Sequence, residues 1–181
     1  MIKNKIKRGQ APFSMRAKIS RLTIGIGIFI IISASFTRQL MDFAKSHIGK
    51  NGLIVLFGLV FLISGLSFLV FVIRKIHGLI KILVVALLLI TGLTMAWQAR
   101  ILAEKMHILE YGFLGWFAGK DLIKTDEKKF RGIILACIFT AFIGILDEGF
   151  QKILPYRVFE LRDIGMNILG GIWGVILYLL S

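Results

Sequence analysis

Cysteine, proline and acidic side chains are all scarce in this chain. The single cysteine, Cys137, rules out a disulfide framework. With only two prolines, Pro12 and Pro155, and no low-complexity run, collagen-like and disordered classes are excluded as well. Charged residues make up 18% of the 181 positions, against the roughly 25% usual in soluble domains. Hydrophobic residues reach 57%, and the mean hydropathy is +0.83. That leaves too little polar surface to coat a soluble domain of this length. The class that remains is an all-α, polytopic transmembrane helix bundle.

The shortage of acids sets the charge. Ten Asp and Glu stand against 23 Lys and Arg, a net charge of +13. In a soluble chain that excess would suggest nucleic acid. In a membrane protein it is a topology signal, and no nucleic-acid partner is expected.

A span needs about 20 mostly apolar residues. Six segments qualify: Leu22 to Phe36, Leu53 to Ile73, about Leu79 to Trp97, about Leu102 to Gly119, Gly132 to Leu146, and Ile164 to Ser181. Residues 1–21 carry seven basic side chains and no acid, which places the N-terminus in the cytoplasm. Six crossings then leave fifteen basic residues inside and eight outside, Arg38, Lys45 and Lys50 among the latter in a first outer loop. The chain divides into a basic head (1–21), two N-terminal helices (22–79) and a four-helix membrane domain (80–181).

Two alternatives lower the count to five. The run from Leu22 to Ile32, followed by Ser33-Ala34-Ser35, also fits a cleaved signal peptide. The fourth segment holds Glu104, Lys105, His107 and Glu110 in its first turns, and a central charge costs roughly 2.5–3.5 kcal/mol on insertion scales. That segment either starts in a wet cavity or is re-entrant, and both require neighbouring helices to cover its polar groups. Gly115 with Gly119, and Gly170 with Gly174, form GxxxG pairs suited to close helix packing. Cys137, in mid-segment, reads as packing rather than as a nucleophile.

Ionisable groups in membrane segments are costly, so each is a candidate site residue. They fall in two stretches. In Lys105 to Gly115, helical spacing puts His107, Glu110, Tyr111 and Leu114 on one face. That arrangement suits a proton relay, a metal half-site or a self-satisfied His–Glu pair. In Asp147 to Gly171, Asp147, Glu148 and Gln151 end segment five, Pro155 and Arg157 form a turn, and Asn167 lies one turn beyond Asp163. Asp163 is expected to N-cap the sixth helix. Arg157 or Arg162 could simply neutralise the nearby acids. Topology brings both stretches to one membrane face, so a shared polar pocket at the extracytoplasmic boundary is expected.

The residues of these stretches resemble the VanZ-like family of membrane proteins. Its pattern has a His, a Tyr four residues later and Leu-Gly, here His107, Tyr111, Leu114 and Gly115. Asp-Glu-x-x-Gln follows as Asp147, Glu148 and Gln151, then Pro155 and Arg157, then Asp163 and Asn167, then Gly170 and Gly174. The resemblance covers roughly residues 80–180. Glu104 stands where the family often has Lys, with Lys105 one place late, and Tyr156 stands where a Gly commonly precedes the Arg. The resemblance implies a bacterial cell membrane, and its founding member is associated with resistance to teicoplanin. It implies no settled reaction or cofactor, and the cofactor is unknown.

Three functions compete. In the first, the site binds or modifies a lipid-linked envelope component, with Glu148 as acid or base, His107 as its proton partner and Arg157 as an anion contact. Glu110, Tyr111, Asp147, Gln151, Asp163 and Asn167 then position the site. In the second, the same residues line a proton-coupled transporter. In the third, the chain is a non-catalytic accessory protein among membrane lipids. A divalent ion on His107, Glu110 and Glu148 is chemically reasonable, but no closed ligand set is legible, and no metal is assigned.

Overall fold

The computed structural model describes residues 18–75, 78–98, 102–123, 129–157 and 159–181. Among these every regular element is α-helical: α1 (Arg21–Lys75), α2 (Leu79–Gln98), α3 (Leu102–Leu122), α4 (Lys129–Ile153) and α5 (Leu161–Leu180). Most of the basic head (1–17), together with Arg100, Lys124 and Lys128, lies outside the described residues, as do the side chains of Arg38, Glu104 and Lys105.

Segments one and two fall within the single element α1, which breaks only at Gly49 (φ 71, ψ 171). Residues 37–48 are therefore helix, where the sequence reading placed an outer loop. The reason is local: the stretch holds no proline, and its first helix-incompatible backbone position is Gly49. Positive φ costs an L-residue roughly 1–2 kcal/mol but glycine almost nothing.

Three helical stretches are long and apolar enough to cross a membrane: Gln39–Ser67 within α1, then α4 and α5. Arg21–Thr37 is a shorter apolar helix. The second arm of α1 exposes Ile54, Val55, Leu56, Leu59, Leu62 and Ile63, which spread over about 200° of its circumference. So wide an exposed apolar face is unsuited to water.

The core is built from α3, α4, α5 and the first arm of α1, with Val85 of α2 packed against Trp116 and Leu177. α4 is inverted relative to a soluble helix. It exposes Ile138, Phe142, Ile145 and Leu146 and buries Ala136, Thr140, Gly144, Asp147, Glu148 and Gln151. α3 and α5 approach so closely that a Cβ on Gly115 would strike the backbone of Gly171, and one on Gly174 the backbone of Gly112. Of the expected GxxxG glycines, Gly115 and Gly174 lie at the crossing, but against Gly171 and Gly112, while Gly119 faces Tyr178 and Gly170 faces Ile108.

α3 is one unbroken helix of 21 residues, about 31 Å long at the usual rise. It does not turn back on itself. Its N-terminal half meets the C-terminal end of α4. Its C-terminal Asp121 accepts hydrogen bonds from the Ser20 backbone (2.8 Å) and the Thr23 hydroxyl (2.6 Å) at the start of α1. The two ends of the bundle are therefore chemically distinct, and the polar cluster sits at one of them.

Candidate functional site

Four elements converge at that end. α3 contributes His107, Glu110 and Tyr111, and α4 contributes Asp147, Glu148 and Gln151. The turn after α4 carries Arg157, and α5 begins with Asp163 and Asn167. Asp147, Glu148, Asn167 and Tyr111 are fully buried, and His107 and Gln151 nearly so. Arg157, Glu110 and Asp163 are half-buried.

The buried carboxylates are held from several sides. The Tyr111 hydroxyl donates to Asp147 Oδ2 (3.1 Å), and His107 Nδ1 stands 3.9 Å from the same oxygen. The Gln151 amide, one helical turn on, donates to Glu148 Oε1 (3.1 Å). The carboxylate brought up to His107 is thus Asp147 from α4, across helices, rather than Glu110 of its own helix. Charge from the Arg157 guanidinium acts on His107, Glu110, Asp147 and Glu148 together.

A cavity of about 20 Å³ opens among Ser33, Thr37, His107, Glu110, Asp147 and Arg157, with Ile30, Ala34 and Met106 completing its wall. That volume admits a water or a small ion. A headgroup reaches these side chains only from the mouth or after α1 moves. Ser33 and Ala34, from the stretch that also reads as a signal-peptide end, are here buried in the cavity wall. The Tyr156 hydroxyl donates to the Ser35 carbonyl (2.8 Å), tying the turn that carries Arg157 to α1.

One expectation fails on backbone geometry. The N-cap of α5 is Glu160, with extended φ/ψ and no side-chain cap, while Asp163 lies in the first turn. An acid there still favours the positive helix end. The Asp163 carboxylate lies at the cluster. His107, Glu148 and Asp163 each offer a donor atom within 4.8 Å of the others. Glu110 is not among these three, so the His107–Glu110–Glu148 ligand set considered from the sequence is replaced by one with Asp163.

Several polar atoms here are buried without a hydrogen-bond partner among the described residues: His107 Nδ1, Asp147 Oδ1, Glu148 Oε2, Arg157 Nε and both amide atoms of Asn167. Buried polar groups are ordinarily satisfied, so this concentration singles the cluster out from the rest of the bundle. All nine residues expected from the sequence lie at this end of the bundle. Asn167 sits deepest, its Cβ against Gly144, where a side chain would collide with it. Sequence reasoning missed Ser33, Thr37 and Thr140. The first two come from outside the motif stretches, and Thr140 is legible only as the buried contact of Gly171.

No family model, curated protein or solved structure matches the chain.

Proposed function

We propose that the chain is a VanZ-like multi-pass protein of a bacterial cell membrane, with its N-terminus in the cytoplasm. It crosses six times and uses the buried polar cluster at the extracytoplasmic face to bind or modify a lipid-linked envelope component. One observation carries this reading. Arg157, whose Nε has no hydrogen-bond partner among the described residues, shares a cavity wall with His107, Glu110 and Asp147, and Glu148 is buried next to Asp147 on α4. A cation beside a buried acid and a neutral-capable imidazole suits an anionic headgroup whose protons must be moved. Arg157 is the anion contact, Glu148 the acid or base and His107 its proton partner. Tyr111, Asp147 and Gln151 hold their orientation, and teicoplanin-type susceptibility is the phenotype the family resemblance attaches to such a site.

The test is lipid and muropeptide analysis of cells producing Arg157→Ala or Glu148→Gln protein at normal abundance. The expected result is a changed envelope profile or a changed teicoplanin susceptibility relative to cells producing the native chain. Unchanged profiles and unchanged susceptibility overturn the reading. A second reading draws on the size of the cavity, which admits water but no headgroup in this form: a proton path in a small transporter. In proteoliposomes that reading requires proton-driven uptake abolished by Glu148→Gln.

A further inference from the structure

We propose that His107, Glu148 and Asp163 form a binding site for one divalent metal ion of the zinc class. The three side chains come from α3, α4 and α5, the helices that meet most closely, and their donor atoms lie within 4.8 Å of one another. One imidazole nitrogen with two carboxylate oxygens is a donor set Zn²⁺ accepts, with bonds of about 2.0–2.2 Å. Tetrahedral bonds of that length require donors about 3.4 Å apart, so binding draws the side chains in by roughly 1 Å, within the range of their terminal torsions.

One observation beyond the clustering points to a ligand. Glu148 Oε2 is buried without a hydrogen-bond partner among the described residues, in a residue 0% exposed. A ligating histidine ordinarily donates its other ring N–H to a carboxylate. Asp147 occupies that place, 3.9 Å from Nδ1 and anchored by Tyr111. The ligating atom is then Nε2, with Asp147 behind the ring and Gln151 fixing the Glu148 carboxylate.

The inference goes beyond the envelope reading and does not depend on it, because it concerns what the three donors hold rather than what the site acts upon.

The full chain, purified in detergent and stripped with chelator, is titrated with Zn²⁺ by calorimetry, with metal content measured after dialysis. One Zn²⁺ per chain is expected. His107→Ala and Glu148→Gln should each weaken binding at least 100-fold, and Asp147→Asn, acting behind the ring, about 10–100-fold. Asp121→Asn, at the opposite end, should bind as the native chain does. Where a variant loses its monodisperse elution, Co²⁺ absorption of the native chain decides: intense four-coordinate bands support the site, and an aqua-ion spectrum overturns it. Absence of stoichiometric Zn²⁺ binding by the native chain, or binding that survives both His107→Ala and Glu148→Gln, also overturns it. Metal binding with an unchanged envelope profile in cells would sink the proposed function alone.

Discussion

At the scale of single residues, the chain spends its few acids unevenly. Four of ten lie within the buried end cluster, where each carboxylate needs donors. The Tyr111–Asp147 bond is the best-defined of these contacts. Removing its donor leaves a buried carboxylate oxygen short of a partner, which costs about 1–3 kcal/mol. Tyr111→Phe should lower unfolding stability in mixed micelles by that amount. Combined with Asp147→Asn, its effect should fall well short of the sum of the two single changes. Strict additivity would mean that the bond contributes nothing.

Asp121 offers a contrasting residue at the other end, outside the spanning segment. Burial pushes its carboxyl upward, but hydrogen bonds from Thr23 and Ser20, with the charge of Lys120, outweigh this and hold it below the ordinary value. Its folded value is depressed, so its contribution is complete above the unfolded carboxylate value near 3.8 and is lost as pH falls through the lower folded value. Thr23→Val removes a fully buried donor to that carboxylate and should destabilise by about 1–3 kcal/mol near neutral pH. The deficit relative to the native chain should shrink below pH 4 as the carboxylate protonates. A deficit independent of pH would assign it to packing of the threonine instead. Neither Ser20 nor Thr23 stood out in the sequence, because a serine and a threonine near a helix start carry no signal of a partner some hundred residues away.

At the scale of elements, hydropathy located the helices better than it located their breaks. All six apolar segments are helical where described, since runs of Leu, Ile, Val and Phe leave the backbone few alternatives in an apolar solvent. The junction of the first two was misread because charged residues such as Asp42 and Lys45 suggest a loop. They are equally compatible with a helix, and only Gly49 changes the backbone. The cap of α5 was misplaced for a similar reason, since Asp163 has the side chain of an N-cap but sits three residues inside the helix.

The glycines were read correctly in kind, and the structure supplies their partner. Gly115→Ala and Gly174→Ala each push a methyl into backbone of the opposite helix, which should cost about 1–3 kcal/mol or more, because backbone cannot move aside like a side-chain tip. Gly165→Ala meets nothing within 4 Å and should be neutral or stabilising by up to about 1 kcal/mol through helix propensity. Unfolding in mixed micelles compares the three. Equal effects would remove close α3–α5 approach as the reason for these glycines.

At the scale of the whole molecule, the inverted pattern of α4, the excess of basic residues and the polar cluster bear on a single question, which way the bundle faces. In the proposed six-span arrangement the start of α1 is cytoplasmic by the positive-inside rule, and three crossings separate it from the N-terminal end of α3. On that proposal the cluster and the turn carrying Arg157 face outward, opposite the end where Asp121 meets Ser20 and Thr23. Single cysteines in a Cys137→Ser background report this directly. Both Lys18, before α1, and Pro155, in the turn, are exposed. An impermeant thiol reagent added to intact cells should label Pro155→Cys and leave Lys18→Cys untouched until the membrane is opened. Labelling of both positions from outside would require an even number of crossings between them and break the six-span arrangement, which puts five there. The reversed pattern would keep the bundle but turn the cluster to the cytoplasm. It would also remove the reason for assigning the site an envelope component, because lipid-linked precursors would then meet it only before export.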